Sequence, residues 1–182
     1  MVYAIELFFN KELEDEIMTL AKKIADKGLS TKYLEWETRP HVTLACFNDI
    51  DENDCKKRLR EFADSHNSVK VNFDSVGMFT DTRVIFLPPT MTQSMYLLHE
   101  ELHRSMSGFD TRGYEWYLPG GWVPHCAIAL MSGDEQELFF KASELVLREF
   151  KKSEGFFSSV GLVKISFPVE ELECEELAST YL

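Results

Sequence analysis

The sequence of 182 residues is poor in several features that would assign it to a specialised class of protein. Its four cysteines, Cys46, Cys55, Cys126 and Cys174, form no C-x-x-C pair and show no metal-ligand spacing, so we expect reduced thiols. Basic residues are also scarce, with 19 lysines and arginines against 31 acidic residues and a formal net charge of −12. Such a surface disfavours long duplex nucleic acid and membrane phosphates but allows a local site for a small phosphate.

Long apolar runs are missing as well. No stretch reaches 18 apolar residues, and the opening segment MVYAIELFFNKELEDE has no basic leader. We therefore expect neither a membrane span nor a signal peptide, and a cytoplasmic location. The content of 45% hydrophobic and 13% aromatic residues is nevertheless enough to build a sizeable core.

Strand-like and helix-like segments alternate along the chain. Short apolar segments predict the strands, and apolar residues at helical spacing predict the helices. The predicted strands cover residues 2–9, 40–47, 69–79, 82–89, 124–130 and 156–169, and the predicted helices cover 11–28, 51–66, 91–107 and 132–152. The acidic segment that follows, 170–177, is predicted to be solvated surface.

The chain matches itself when it is shifted by 84 residues without a gap. The matched residues are Pro40-His41 with Pro124-His125, Ala45 with Ala129, Phe73 with Phe157, and Ser75-Val76-Gly77 with Ser159-Val160-Gly161. One offset that aligns two separate segments and the helix between them indicates an internal repeat. We predict an α+β fold in one domain, residues 1–182. Two pseudo-symmetric lobes, approximately 1–79 and 80–182, would place mostly antiparallel sheets around a central cleft, with helices outside.

The repeated histidines predict a chemical site in that cleft. Side chains alternate across a strand, so His41 shares a face with Thr43, and His125 shares a face with Ala127. The apolar residues between them would face the core, which turns both histidines towards the cleft. One imidazole can accept a proton while the other donates one, and the Thr43 hydroxyl can bond a phosphate oxygen. This chemistry cleaves a phosphodiester, and it needs no metal when the leaving oxygen is protonated.

The segments RPHVTL and VPHCAI resemble the paired H-x-[T/S]-x motifs of the two-histidine (2H) phosphoesterase superfamily. This superfamily includes the RNA 2′,3′-cyclic phosphodiesterases, also called 2′-5′ RNA ligase-like proteins. The first segment matches its motif fully. The second matches at its histidine, and Ala127 stands at the hydroxyl position.

The resemblance implies a metal-free phosphoesterase with His41 and His125 as the catalytic pair and Thr43 as a phosphate ligand. The substrate would be a small cyclic or 2′-5′ phosphodiester, from a nucleotide or a short RNA end. The missing hydroxyl at Ala127 costs about 1.5–3 kcal/mol of hydrogen bonding to a charged phosphate, which weakens binding or turnover by roughly tenfold to over a hundredfold. A catalytically weakened module that binds a nucleotide or RNA phosphate is therefore the main alternative.

Three further residues are candidates for substrate contact. Tyr117 and Trp122 precede the second histidine strand and could stack on a base, or they could cap the core. Arg39 could offer charge to a phosphate, or it could form salt bridges on the acidic surface.

A metalloprotease signature, His99-Glu100-x-x-His103, provides a third hypothesis. Its two histidines have the right helical spacing to share a zinc ion. Glu101 and Arg104 are charged, however, where a buried metal helix would be apolar, and no third ligand follows at a convincing spacing. We expect the match to be accidental. The sequence leaves open the natural substrate, hydrolysis as against ligation, which histidine is the acid, and the oligomeric state.

Overall fold

The protein is described by a computed structural model that covers residues 1–179. Within these residues the chain forms eight strands, five helices and a short 3-10 turn at Glu115–Tyr117. In chain order they are β1 (Val2–Phe9), α1 (Lys11–Asp26), α2 (Lys32–Glu35), β2 (His41–Asn48), α3 (Glu52–Ser65), β3 (Val69–Phe73), β4 (Gly77–Phe79), β5 (Val84–Leu87), α4 (Gln93–Ser105), β6 (Cys126–Leu130), α5 (Gln136–Glu149), β7 (Ser153–Lys164) and β8 (Glu170–Glu176).

The strands form two sheets. The larger sheet has the order β2-β1-β7-β3, and β8 lies beside the second half of β7. The smaller sheet has the order β4-β5-β6. All pairings between these strands are antiparallel, which confirms the predicted α+β class with antiparallel sheets.

The spacing of the elements follows the repeat, and each sheet takes strands from both sides of residue 80. Helices α3 and α5 are offset by 84 residues at both ends, and β3 and β7 begin with the same offset. Strand β4, before residue 80, belongs to the smaller sheet, whereas β7 and β8 join the larger sheet. The division near residue 79 and the twofold relation of the lobes remain predictions.

The acidic segment 170–177 forms a strand that the sequence did not indicate. Its backbone pairs with β7 as β8, and none of the β8 residues is buried. Arg60 of α3 lies 2.7 Å from Glu173 and 3.0 Å from Glu175. The predicted helix at 132–152 is also shorter, since α5 begins only after the turn at Ser132.

One apolar core joins both sheets and all four long helices. The opposite face of the larger sheet has a smaller apolar cluster, formed by Ala4, Phe8, Cys46 and Val163. Packed against it are Tyr114 and Val169, which come from loops, and Tyr117, which ends the 3-10 turn. This loop-covered face carries the histidine of β2. None of the helices in residues 1–179 has the length and apolar character needed to cross a bilayer.

Candidate active site

His41 begins β2 and lies on the loop-covered face of the larger sheet. Its register partner on β1 is Phe8, a member of the smaller cluster, and directly paired residues point to the same face. The Nδ1–H of His41 donates to the carbonyl oxygen of Arg39 at 2.7 Å. This bond fixes the hydrogen on Nδ1 and leaves Nε2 for other partners. Nε2 lies 3.3 Å from Oε1 of Glu6.

His125 immediately precedes β6 and is held by the same kind of bond. Its Nδ1–H donates to the carbonyl oxygen of Val123, two residues upstream, at 2.8 Å. The rings of Phe79 and Phe86 approach its imidazole edge to face, with centroids 4.9 and 5.4 Å away. Burial lowers the pKa of His125 below its ordinary value. The imidazole is therefore neutral near pH 7, and its Nε2 can accept a proton.

The structure brings the two histidines to one place. Strands β2 and β6 lie side by side without pairing, and the charge of His41 acts on His125 to lower its pKa further. Burial raises the pKa of the Cys126 thiol to about 12, against the opposing effect of its hydrogen bond to the backbone of His41. The start of β6 thus contacts the start of β2, where the two imidazoles are.

Thr43 and Tyr117 lie together beside His41. Burial raises the pKa of Tyr117 to about 12, and a hydrogen bond to Thr43 is among the effects that oppose the rise. Trp122 also contacts Thr43, because its indole N–H donates to the Thr43 carbonyl at 2.9 Å. One face of the indole is stacked on the His99 imidazole, with ring centroids 3.9 Å apart, so a ligand cannot stack on that face.

The Arg39 side chain forms ion pairs with two carboxylates and is therefore not free to bind a phosphate. Its guanidinium lies 3.1 Å from Glu14 and 3.0 Å from Glu171, and 4.2 Å from the centre of the Phe8 ring. The structure therefore places this side chain in the salt-bridged alternative. Its backbone contributes directly to the site by orienting His41.

The metalloprotease-like pair caps the free edge of β2. The Nε2 atoms of His99 and His103 both lie 3.1 Å from the carbonyl oxygen of Leu44, and His99 also lies 2.9 Å from the carbonyl of Tyr117. Burial lowers the pKa of His99 to about 4, and the neighbouring His103 adds to the effect. Glu100 is bonded to Tyr96 on the helix surface. Within residues 1–179, no three His, Cys, Asp or Glu side chains converge in a way that could hold a metal ion.

Three residues of the site were not predicted from the sequence. Glu6 could have been noticed, because it is a carboxylate within an otherwise apolar strand, VYAIELFF. Phe79 and Phe86 gave no such signal, since aromatic residues on strands are ordinary core residues. Their position beside His125 depends on the pairing of β4, β5 and β6.

A family model for the 2′-5′ RNA ligase superfamily matches residues 9–175. The chain therefore belongs to this superfamily, which comprises two-histidine phosphoesterases and RNA ligases. No curated protein sequence gave a match.

Solved structures share the fold along the whole chain. The protein TT0787 of Thermus thermophilus has a TM-score of 0.65 and 16% identity, with 100% of both chains covered. E. coli LigT in apo form has a TM-score of 0.59 and 16% identity, with 97% of this chain and 96% of LigT covered. LigT complexed with 3′-AMP has a TM-score of 0.57 and 12% identity, with 97% of both chains covered.

Proposed function

We propose that the protein is a metal-independent phosphoesterase that hydrolyses a small cyclic or 2′-5′ phosphodiester, from a nucleotide or an RNA end. The observation that carries this proposal is the matched setting of the two histidines. Each donates its Nδ1–H to the carbonyl two residues upstream, at 2.7 Å for His41 and 2.8 Å for His125. Both Nε2 atoms are thereby kept for proton transfer to or from a ligand.

The reaction needs one imidazole in each protonation state. The neutral imidazole takes a proton from water as the water oxygen bonds to phosphorus. The protonated imidazole gives its proton to the leaving ester oxygen as the phosphorus–oxygen bond breaks. The product is a phosphomonoester. In this mechanism the hydroxyl of Thr43, which lies on the same face as His41, would bond a phosphate oxygen.

The charges around the site favour a short substrate. Glu6, Glu14 and Glu171 lie on the His41 side, and the guanidinium of Arg39 is already matched by two of these carboxylates. A long polyanion would be repelled by this arrangement and by the net charge of −12. LigT, which shares the fold, has been crystallised with ATP and with 3′-AMP, both small nucleotides.

Hydrolysis of a panel of 2′,3′-cyclic nucleotides and 2′-5′ linked dinucleotides in excess EDTA tests the proposal. We expect phosphomonoester from the wild type and a loss of about 10²–10⁴-fold in His41→Ala and in His125→Ala. The matched control is His66→Ala, since His66 is paired with Glu101 at 2.6 Å, outside the site. Full activity in both site variants, or loss of activity in EDTA, would contradict the proposal.

A catalytically weakened phosphate-binding module is the second candidate. It is favoured by the wall beside His125, where Ala127 pairs with Phe86 and no hydroxyl is present. Calorimetry would then show binding of a nucleotide 3′-phosphate, with no turnover of any member of the panel.

A further inference from the structure

Glu6 is a buried carboxylate in the middle of the larger sheet. On β1 it is paired with Thr43 on one side and with Gly161 on the other, so its side chain lies on the face that carries His41. The residue is 4% exposed, and no other carboxylate among residues 1–179 is buried. A charged group in such a position requires a compensating partner.

The partner is Nε2 of His41. Oε1 of Glu6 lies 3.3 Å from Nε2 of His41, whose Nδ1–H is already committed to Arg39. Burial raises the pKa of Glu6, and the positive charge of His41 opposes this rise. The burial of the carboxyl is therefore compensated when one proton lies between Glu6 and His41.

The other described groups near Glu6 and His41 add no uncompensated charge that would draw the proton away. Four neutral groups lie near Glu6, and burial raises the pKa of each: Tyr33 of α2, Cys46 of β2, Cys126 of β6 and Tyr117 of the 3-10 turn before β6. The charged neighbours are Arg39 and Glu171, which lie 3.0 Å apart and largely neutralise each other.

His125 has the opposite environment. Its ring meets Phe79 and Phe86, and no ion pair with a carboxylate within 4 Å forms among the described residues. We propose that Glu6 is a positioning residue that holds a proton on Nε2 of His41, which makes His41 the general acid and His125 the general base. This inference rests on the proposed phosphodiesterase function and assigns the direction of proton flow within it.

The two proton transfers balance over one turnover. Nε2 of His125 takes a proton from water while the water oxygen bonds to phosphorus. Nε2 of His41 gives its proton to the leaving oxygen while the old ester bond breaks. After product release, the proton on His125 passes to solvent and His41 regains one from solvent, which restores the starting state.

Glu6→Gln separates this role from a structural one, because it keeps the shape and removes the charge. We expect the alkaline limb of the pH profile of kcat/KM to move to lower pH by about one unit, with a roughly tenfold loss at pH 8 and an unchanged acidic limb. Glu6→Asp keeps the charge and should keep the alkaline limb, even where kcat falls. The control is Glu176→Gln, an exposed carboxylate on the same face, which should leave both limbs in place.

Histidine ¹⁵N NMR supplies a readout that needs no activity. At pH 7 we expect Nε2 of His41 to carry a proton in the wild type and largely to lose it in Glu6→Gln, while Nε2 of His125 is unprotonated in both. An unchanged His41 signal, or a Glu6→Gln profile that moves at its acidic limb, overturns the role of Glu6. If the wild type hydrolyses no phosphodiester, the proposed function fails, and the NMR comparison still decides whether Glu6 holds the proton.

Discussion

At the scale of single residues, the two halves of the site differ at the position two residues after each histidine. Thr43 follows His41 by two residues and offers a hydroxyl, whereas Ala127 follows His125 by two residues and offers a methyl group. Ala127 is partly exposed, so a larger side chain there would reach the space in front of His125. The site thus lacks a hydroxyl beside His125 because residue 127 is alanine, and not because the backbone differs.

Ala127→Thr should restore the missing contact. One added hydrogen bond to a charged phosphate corresponds to about 1.5–3 kcal/mol, so we expect kcat/KM for a 2′,3′-cyclic nucleotide to rise roughly tenfold or more. Ala127→Val has nearly the same shape without the hydroxyl and is the matched control. Equal rates in the Thr and Val variants would show that this position does not contact the phosphate.

At the scale of elements, α4 illustrates how a correct motif can mislead. The sequence shows two histidines on one side of a helix, which is a valid zinc geometry. It does not show that β2 has a free edge, whose carbonyl groups need donors. The contacts to the carbonyls of Leu44 and Thr43 meet that need with two imidazoles and an indole.

Because the pKa of His99 is lowered from 6.5 to about 4, this edge cap should make stability depend on pH. The unfolded chain binds the proton first, so the stabilisation is complete above about pH 6.5 and is lost as pH falls towards about 4. His99→Gln keeps a donor but cannot titrate. Urea unfolding at pH 7, 6, 5 and 4 should show the wild type losing about 1–3 kcal/mol more than His99→Gln over this range.

Two results would contradict this role of the edge cap. Parallel pH dependence in the two proteins would mean that other groups cause the acid sensitivity. A stoichiometric zinc ion in the purified protein that disappears in His99→Gln would revive the metal hypothesis.

The sequence predicted the histidine strands well because their pattern is local. The alternation in HVTL and HCAI sets which side chains share a face, and the repeat relates the two segments. The roles of Glu6, Phe79 and β8 depend on which strands pair across the molecule. Such pairing has no short-range signature, so the sequence alone indicates neither that the acidic segment forms a strand nor that Glu6 is buried.

At the scale of the whole molecule, net charge should select substrates by length. With a charge of −12, long RNA is repelled over distances comparable to the Debye length, about 10 Å at 0.1 M salt, while a mononucleotide is affected less. Raising salt from about 50 to 300 mM should therefore improve kcat/KM for a long RNA relative to a 2′,3′-cyclic mononucleotide.

Comparison of the two substrates in one salt series removes general effects on the enzyme. A ratio that falls as salt rises, in the manner of a cationic nucleic-acid-binding protein, would contradict the conclusion drawn from the charge.

Each sheet contains strands from both sides of residue 80, so cutting the chain there would separate strands that belong to one sheet. The segment before residue 80 contributes β4 to the smaller sheet, and the later segment contributes β7 and β8 to the larger one. A gene cut at that point would encode two fragments with open sheet edges, each lacking strands that the other carries. We expect such fragments to bring His41 and His125 together again only when they are co-expressed, which would make the protein a candidate for a split reporter.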